Sequence, residues 1–377
     1  MKLLVTSLAT LFALVFVVQA EPTHQFDHFY AGWNALVQDI LRVNCSTVYA
    51  DYLTGHPNYT LGKESLVNPV IDCVLGVFPE SRKAELATGA LVLGLIPTIL
   101  QTIGSSTAET SLVGLRRPLL GFLISAGSPA VSMMKTSDFA KAITELVEGG
   151  SPSDSIGIGS LRWSPSRGKW AVFIALVEYA VVGGAVANVL HLAWNLGIYA
   201  IAIFAPNTIF GVPLWTLGAA LIHLAGSLAV SLRVRIRTVK ARNEEDYNTR
   251  TAAPINTWLP VQLLPTVFQP PMIVEVQREG PRNYWFYMLA WAISIGILAQ
   301  VAFGTLVLSG LLFFSLTDCL TIVGRYALSA VACRAVVVLE LSGMMAAMVP
   351  AQGEGVSEVI EPERIVLTGW KDQSQEM

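Results

Sequence analysis

Residues 170–194 read WAVFIALVEYAVVGGAVANVLHLAW and contain one charged side chain, that of Glu178. A helix that crosses the hydrocarbon core of a bilayer needs about 20 mainly apolar residues. This stretch is long enough, and it has a tryptophan at each end, where the amphipathic indole ring prefers to sit. The stretch therefore predicts a transmembrane helix.

The rest of the chain has the same character. Of its 377 residues, 53% are hydrophobic and 14% are charged, against about 25% charged residues in an ordinary globular protein. The net charge of -3 gives no basic surface for nucleic acid. The composition predicts an all-α integral membrane protein whose main partner is the lipid bilayer.

Four further apolar stretches are long enough to cross. The predicted transmembrane helices are 84–104, 170–194, 213–232, 286–314 and 317–344. Residues 112–134 are also apolar, but because they carry Arg116-Arg117-Pro118 we interpret them as an interfacial or re-entrant helix. Residues 195–212 contain Pro206-Asn207 and predict an external connection. A crossing by either stretch would reverse the topology after it.

The first twenty residues have the layout of a secretory signal peptide. Met1-Lys2 is followed by an apolar run to Val18, and Val18-Gln19-Ala20 is a small-residue cleavage pattern. The alternative is an uncleaved anchor, although the apolar run is short for a span. We expect residues 1–20 to be removed and the mature N-terminus to lie outside the cytosol.

Residues 21–83 are polar and predict a small ectodomain. They contain two N-glycosylation acceptors, Asn44 and Asn58, and two cysteines, Cys45 and Cys73. An oxidising compartment favours a disulfide between the two cysteines over two free thiols. Closing this loop would stabilise the ectodomain by about 3 kcal/mol in the chain-entropy model.

Basic residues set the predicted orientation. Five of them follow the third predicted helix: Arg233, Arg235, Arg237, Lys240 and Arg242. Basic flanks stay in the cytoplasm, so the connections 105–169 and 233–285 and the tail 345–377 are predicted to be cytoplasmic. The location is then the plasma membrane or an endomembrane of the secretory pathway. The basic cluster either binds anionic lipid headgroups or only determines topology.

No motif in the chain predicts catalysis. The sequence lacks G-x-S-x-G, H-E-x-x-H, C-x-x-C, an EF-hand loop and a Walker-type G-K-[ST]. We therefore expect no catalytic residue, no cofactor and no metal, and a protein that is not an enzyme.

Ionisable residues inside the predicted helices are more informative, because such groups are costly in lipid and face a partner or water. They are Glu178, His223, Arg325, Arg334 and Glu340. Glu178 and Arg334 lie at similar depths, about 12 and 15 Å from the cytoplasmic ends of their helices. We predict an ion pair between them, which either fixes helix register or belongs to a transport site. Arg325 and Glu340 lie nearer the interfaces, where they could snorkel.

Two segments resemble a known group of proteins. Residues 93–132 (LGLIPTILQTIGSSTAETSLVGLRRPLLGFLISAGSPAVS) and residues 302–343, with GTLVLSGLLFF, VGRYALSAVACR and LELSG, are similar to uncharacterised multi-span integral membrane proteins predicted in filamentous fungi. The resemblance also involves Cys45 and Cys73 and the side chains of Arg117, Arg325, Arg334 and Glu340. It implies a fungal membrane protein of the secretory pathway and no particular activity.

Two functions remain open from the sequence. The first is a non-enzymatic surface or endomembrane sensor or scaffold, which accounts for the ectodomain, the basic loop and the lack of catalytic motifs. The second is a transporter or channel with a polar path through Glu178, His223, Arg325 and Arg334. A water-accessible cavity that contains these side chains would favour the second function, and a dry, closely packed bundle would favour the first.

Overall fold

The fold is seen in a computed structural model. It describes residues 26–54, 67–132, 139–144, 169–204, 209–238, 262, 264–269, 272–276 and 281–347. The predicted signal peptide, Asn58, Lys240, Arg242 and most of the tail 345–377 lie outside the described residues.

Three short helices form an N-terminal module: α1 (Asn34–Val43), α2 (Ser46–Thr54) and α3 (Val67–Val77). The disulfide between Cys45 and Cys73 is confirmed, and it ties the start of α2 to α3. Apolar side chains from all three helices form one buried core. That core also contains Ile201 and Phe313 from the rest of the chain, so the module packs directly on the transmembrane bundle.

The helices that follow are α4 (Glu80–Gly94), α5 (Ile96–Ile103), α6 (Thr107–Arg116), α7 (Pro118–Gly127), α8 (Lys169–Ile198), α9 (Gly211–Arg233), α10 (Pro281–Ser309) and α11 (Leu316–Ala347). Among the described residues, five helical stretches are long and apolar enough to cross a membrane: Glu80–Ile103, Ala171–Ile198, Gly211–Arg233, Tyr284–Ser309 and Leu316–Ala347. Their number agrees with the prediction, and they fit an integral membrane protein.

The stretch predicted as interfacial or re-entrant forms a helical hairpin of α6 and α7. Each helix has 10 residues and is about 15 Å long, too short to cross the bilayer core. Leu112, Leu120 and Ile124 are buried among α8, α9 and α11. The hairpin therefore packs within the bundle, and its assignment as an interfacial or re-entrant element stays a prediction.

Two small antiparallel pairs connect distant loops. β1 (Ile201–Ala202) pairs with β4 (Leu311–Leu312), and β2 (Val234–Thr238) pairs with β3 (Met272–Val276). The fourth transmembrane helix was predicted to reach residue 314, but α10 ends at Ser309 because the chain turns there to form β4. Within the connection 233–285, β2 pairs with β3, and a 3-10 turn (Thr266–Phe268) lies between these two strands in the sequence.

The start of α11 is fixed by a reciprocal cap. The backbone N–H of Asp318 donates to Oγ of Ser315 (3.1 Å), and Oδ2 of Asp318 accepts from the hydroxyl of Ser315 (2.7 Å). Such caps satisfy N–H groups that the first helical turn leaves free. The N–H of Leu316 donates to Glu85 of α4 (3.2 Å), so α4 and α11 are joined at this end.

Candidate functional site

Two glycines let α6 and α7 fold tightly against each other. A Cβ on Gly121 would lie 2.5 Å from the Cα of Gly114, which leaves room for hydrogen only. Pro118 begins α7 and disfavours helical backbone at the residue before it. Arg117 accordingly has φ -124° and ψ 76° and lies at the turn of the hairpin.

The guanidinium of Arg117 joins two carboxylates from different helices. Nη1 donates to Oε2 of Glu178 on α8 (2.6 Å) and to Oε1 of Glu340 on α11 (2.8 Å). The three side chains are 0%, 4% and 2% exposed. Nε and Nη2 both donate to the backbone carbonyl of Gln262, at 3.1 and 2.8 Å. The ring of Tyr179 lies 5.3 Å from the guanidinium carbon and receives a cation–π contact.

Gln262 and residues 264–269 close this cluster from the loop side, and we call them the inserted segment. The backbone N–H of Thr266 donates to Oε1 of Glu340 (3.2 Å), and its hydroxyl donates to the other carboxylate oxygen. Gln262 accepts at its side-chain oxygen from the N–H of Leu119 (3.2 Å) and at its carbonyl from the hydroxyl of Tyr179 (3.1 Å). The inserted segment is thus hydrogen-bonded to α7, α8 and α11.

Gly343 and Arg116 make the remaining contacts with the inserted segment. A Cβ on Gly343 would lie 2.6 Å from the backbone nitrogen of Val267, so α11 touches the segment only because residue 343 has no side chain. Nε of Arg116 donates to the side-chain oxygen of Gln269, whose Nε2 donates to the carbonyl of Leu264 (2.8 Å). The segment therefore fits the bundle at specific contacts.

The predicted ion pair between Glu178 and Arg334 is wrong, because Glu178 pairs with Arg117. Nη1 of Arg334 instead donates to the carbonyls of Ile103 (3.1 Å) and Gly104 (3.0 Å) at the end of α5. Those carbonyls have no partner within the helix, and a cation at a helix C-terminus also suits the macrodipole. Similar depth in two helices did not imply contact between their side chains.

The other ionisable residues of the predicted helices contact partners outside the Arg117 cluster, with the exception of Glu340. Nε2 of His223 lies 2.8 Å from the carbonyl of Ala130, and the ring is buried. Arg325 donates from Nε to Oδ1 of Asn188 (2.8 Å) and lies beside His191. Glu340 does not snorkel to an interface, which the sequence left open, because its side chain is buried in the cluster with Arg117.

The first residue of the basic cluster is buried at the end of α9. Arg233 is 9% exposed and lies over the ring of Phe286, with 4.8 Å between the guanidinium carbon and the ring centroid. This burial removes Arg233 from the group of side chains that we expected at lipid headgroups. Arg235 and Arg237 lie on β2.

Sequence reasoning missed several members of the cluster. Arg117 was used to interpret residues 112–134 and was named in the resemblance, but no partner was predicted for it, although it lies in an apolar stretch before a proline. Gln262 and Thr266 lie in residues 258–268 (WLPVQLLPTVF), whose apolar character is unusual for a solvated loop. That stretch was the available signal that part of the connection is packed. The role of the Gln262 carbonyl had no signal, because any residue type supplies one.

The chain was compared with known proteins in three ways. No protein-family model matches it, and neither a curated protein nor a solved structure does.

Proposed function

We propose that this protein is a non-enzymatic membrane sensor or scaffold in which α11 couples the N-terminal module to the inserted segment. In this proposal the module is a lumenal or extracellular ectodomain, and the connection 233–285 and the tail are cytoplasmic. The signal-peptide layout and the basic residues after α9 support that orientation. The exposed Asn44 would then be available for glycosylation.

At one end, α11 contacts the ectodomain through its cap. The N–H of Gly32 donates to Oδ2 of Asp318 (3.1 Å), the same oxygen that accepts from Ser315. A Cβ on Gly32 would lie 2.1 Å from Oγ of Ser315, so the two parts fit closely. A displacement of the ectodomain would therefore act on the first turn of α11.

Phe313, just before α11, is held in an unusual conformation. Its φ is 65°, in the left-handed region that a bulky side chain rarely adopts. Its ring packs edge-on against Phe29 (5.7 Å) and Phe78 (6.0 Å) of the N-terminal part of the chain. Such backbone conformations persist where contacts with the surrounding structure hold them in place, and they are typical of switch regions.

At the other end, α11 holds the inserted segment through Glu340 and Gly343. About 33 Å of helix separates Asp318 from Glu340. The observation that carries the proposal is that one continuous helix makes both sets of contacts. A helix that shifts or rotates as a body would change both ends together.

The transporter or channel remains the second candidate and has less support. A polar path needs its side chains in one cavity, whereas Glu178, His223, Arg325 and Arg334 each contact a different group of residues. Their contacts are those of helices packed on one another.

Hydrogen exchange at residues 264–269 tests the coupling. Gly32→Ala places a Cβ against Ser315, and we expect it to lower the protection of these backbone amides against exchange. Gly76→Ala is the matched control in the same module, because a Cβ there meets nothing within 4 Å. Unchanged protection in Gly32→Ala, with the contact to Asp318 demonstrably disrupted, would reject coupling through α11.

A further inference from the structure

The cluster around Arg117 contains more acid than base. Oxygens of Glu178 and Glu340 lie within 2.8 Å of the same nitrogen, so the two carboxylates are close neighbours. Among the residues that the structure describes, the other charged or titratable side chains at the cluster do not neutralise the second carboxylate. Tyr179 donates its hydroxyl to the carbonyl of Gln262, and Arg116 donates to Gln269.

An uncompensated negative charge at this position would be costly. Both carboxylates are at least 96% buried, and Arg117 is fully buried. Moving a charge out of water costs several kcal/mol even after relaxation, and two neighbouring carboxylates disfavour double ionisation. One guanidinium balances one of them only.

We propose that Glu178 and Glu340 form a binding site for a single proton, which leaves the cluster with Arg117 electrically neutral. The proton belongs to Glu178. Glu340 accepts from Nη1 of Arg117 and from the N–H and hydroxyl of Thr266, whereas Glu178 accepts from Nη1 of Arg117. Several donors stabilise the ionised form of a carboxylate. The proposal does not depend on coupling through α11.

Infrared spectroscopy detects the proton directly, because a protonated carboxyl group has a C=O stretching band that a carboxylate lacks. The full chain in lipid nanodiscs at neutral pH should show this band with a shift in heavy water. Glu178→Gln should remove it. Glu80→Gln, at a side chain 88% exposed, should leave it unchanged.

Stability against pH provides a second measurement. Because the folded cluster holds the proton and unfolding releases it, the wild type should lose stability as the pH rises above about 4.3, the ordinary pKa of a glutamate side chain in an unfolded chain, until the folded cluster also loses the proton. Glu178→Gln, which imitates the protonated form, should lose less stability over the same range. Absence of the infrared band, or a band and pH response that survive in Glu178→Gln, would overturn the proposal. If added sodium or potassium stabilised the wild type while the infrared band was absent, that result would also overturn the proposal.

Discussion

Arg117 donates from one nitrogen to two carboxylates on different helices, with Nη1 at 2.6 Å from Glu178 and 2.8 Å from Glu340. Its other nitrogens hold the carbonyl of Gln262. A single side chain at the turn of a hairpin thus joins two transmembrane helices and a loop.

Replacement of Arg117 should be among the most damaging single changes. Arg117→Gln leaves a buried carboxylate without its cation, and removal of one partner of a buried ion pair costs about 3–5 kcal/mol. The midpoint of chemical or thermal unfolding in detergent measures the loss. Arg82→Gln is the control, because its pair with Glu85 is on the surface and contributes about 0–1 kcal/mol. Equal stability of the two variants would contradict the burial of Arg117.

Much of the fold was predictable because the bilayer imposes a strong pattern. Long apolar runs such as residues 170–194 identified the candidate spans, and the two cysteines of the N-terminal module identified the disulfide. The end of α10 was missed because Leu311 and Leu312 are as apolar as the helix before them, although they form a strand. Hydropathy describes the environment of a residue and does not distinguish these two conformations.

The candidate site was less predictable, since it depends on elements outside the predicted spans. The hairpin carries Arg117 to the depth of Glu178, and the inserted segment brings Thr266 to Glu340. The similar depths of Glu178 and Arg334 along their helices had suggested Arg334 as the partner of Glu178. Helix facing and loop insertion are properties of tertiary packing, which hydropathy and charge patterns along a sequence do not reveal.

A methyl group at residue 343 should displace the inserted segment. In Gly343→Ala the new Cβ would approach the backbone nitrogen of Val267 to 2.6 Å. Overpacking of this kind costs about 1–3 kcal/mol. Gly324→Ala on the same helix is the control, because its Cβ would meet nothing within 4 Å. Thermal unfolding of both variants checks the prediction, and a Gly343→Ala protein as stable as Gly324→Ala would refute the contact.

Loss of the disulfide should act on the N-terminal module. Cys45→Ser should cost about 2–4 kcal/mol, because the unfolded chain gains the freedom that the bond removes. Hydrogen exchange of α1 and α3 should rise. A reducing agent should destabilise the wild type to a similar extent and leave the variant unaffected. A response of the variant to the reducing agent would indicate that the effect does not come from this bond.

Arg334 should matter less than Arg117. Arg334→Gln removes a cation from the end of α5, where such contacts are worth about 0.3–2 kcal/mol. Arg334→Lys should recover part of the loss, since an ammonium group still suits the carbonyls. The unfolding midpoints of Arg334→Gln and Arg334→Lys, compared with that of Arg117→Gln, test this ranking of stability losses. A loss in Arg334→Gln as large as that in Arg117→Gln would assign Arg334 a buried acidic partner.

The most direct test of the cluster is a pair of double-mutant cycles on unfolding free energy. The first combines Arg117→Gln with Glu340→Gln, and the second combines Arg334→Gln with the same Glu340→Gln. Residues in direct contact couple by about 0.5–3 kcal/mol, whereas independent sites add within about 0.5 kcal/mol. We predict coupling above 1 kcal/mol, at the order of magnitude of contacting pairs, in the first cycle only. Coupling between Glu340 and Arg334, with none between Glu340 and Arg117, would contradict Arg117 as the cation of the cluster.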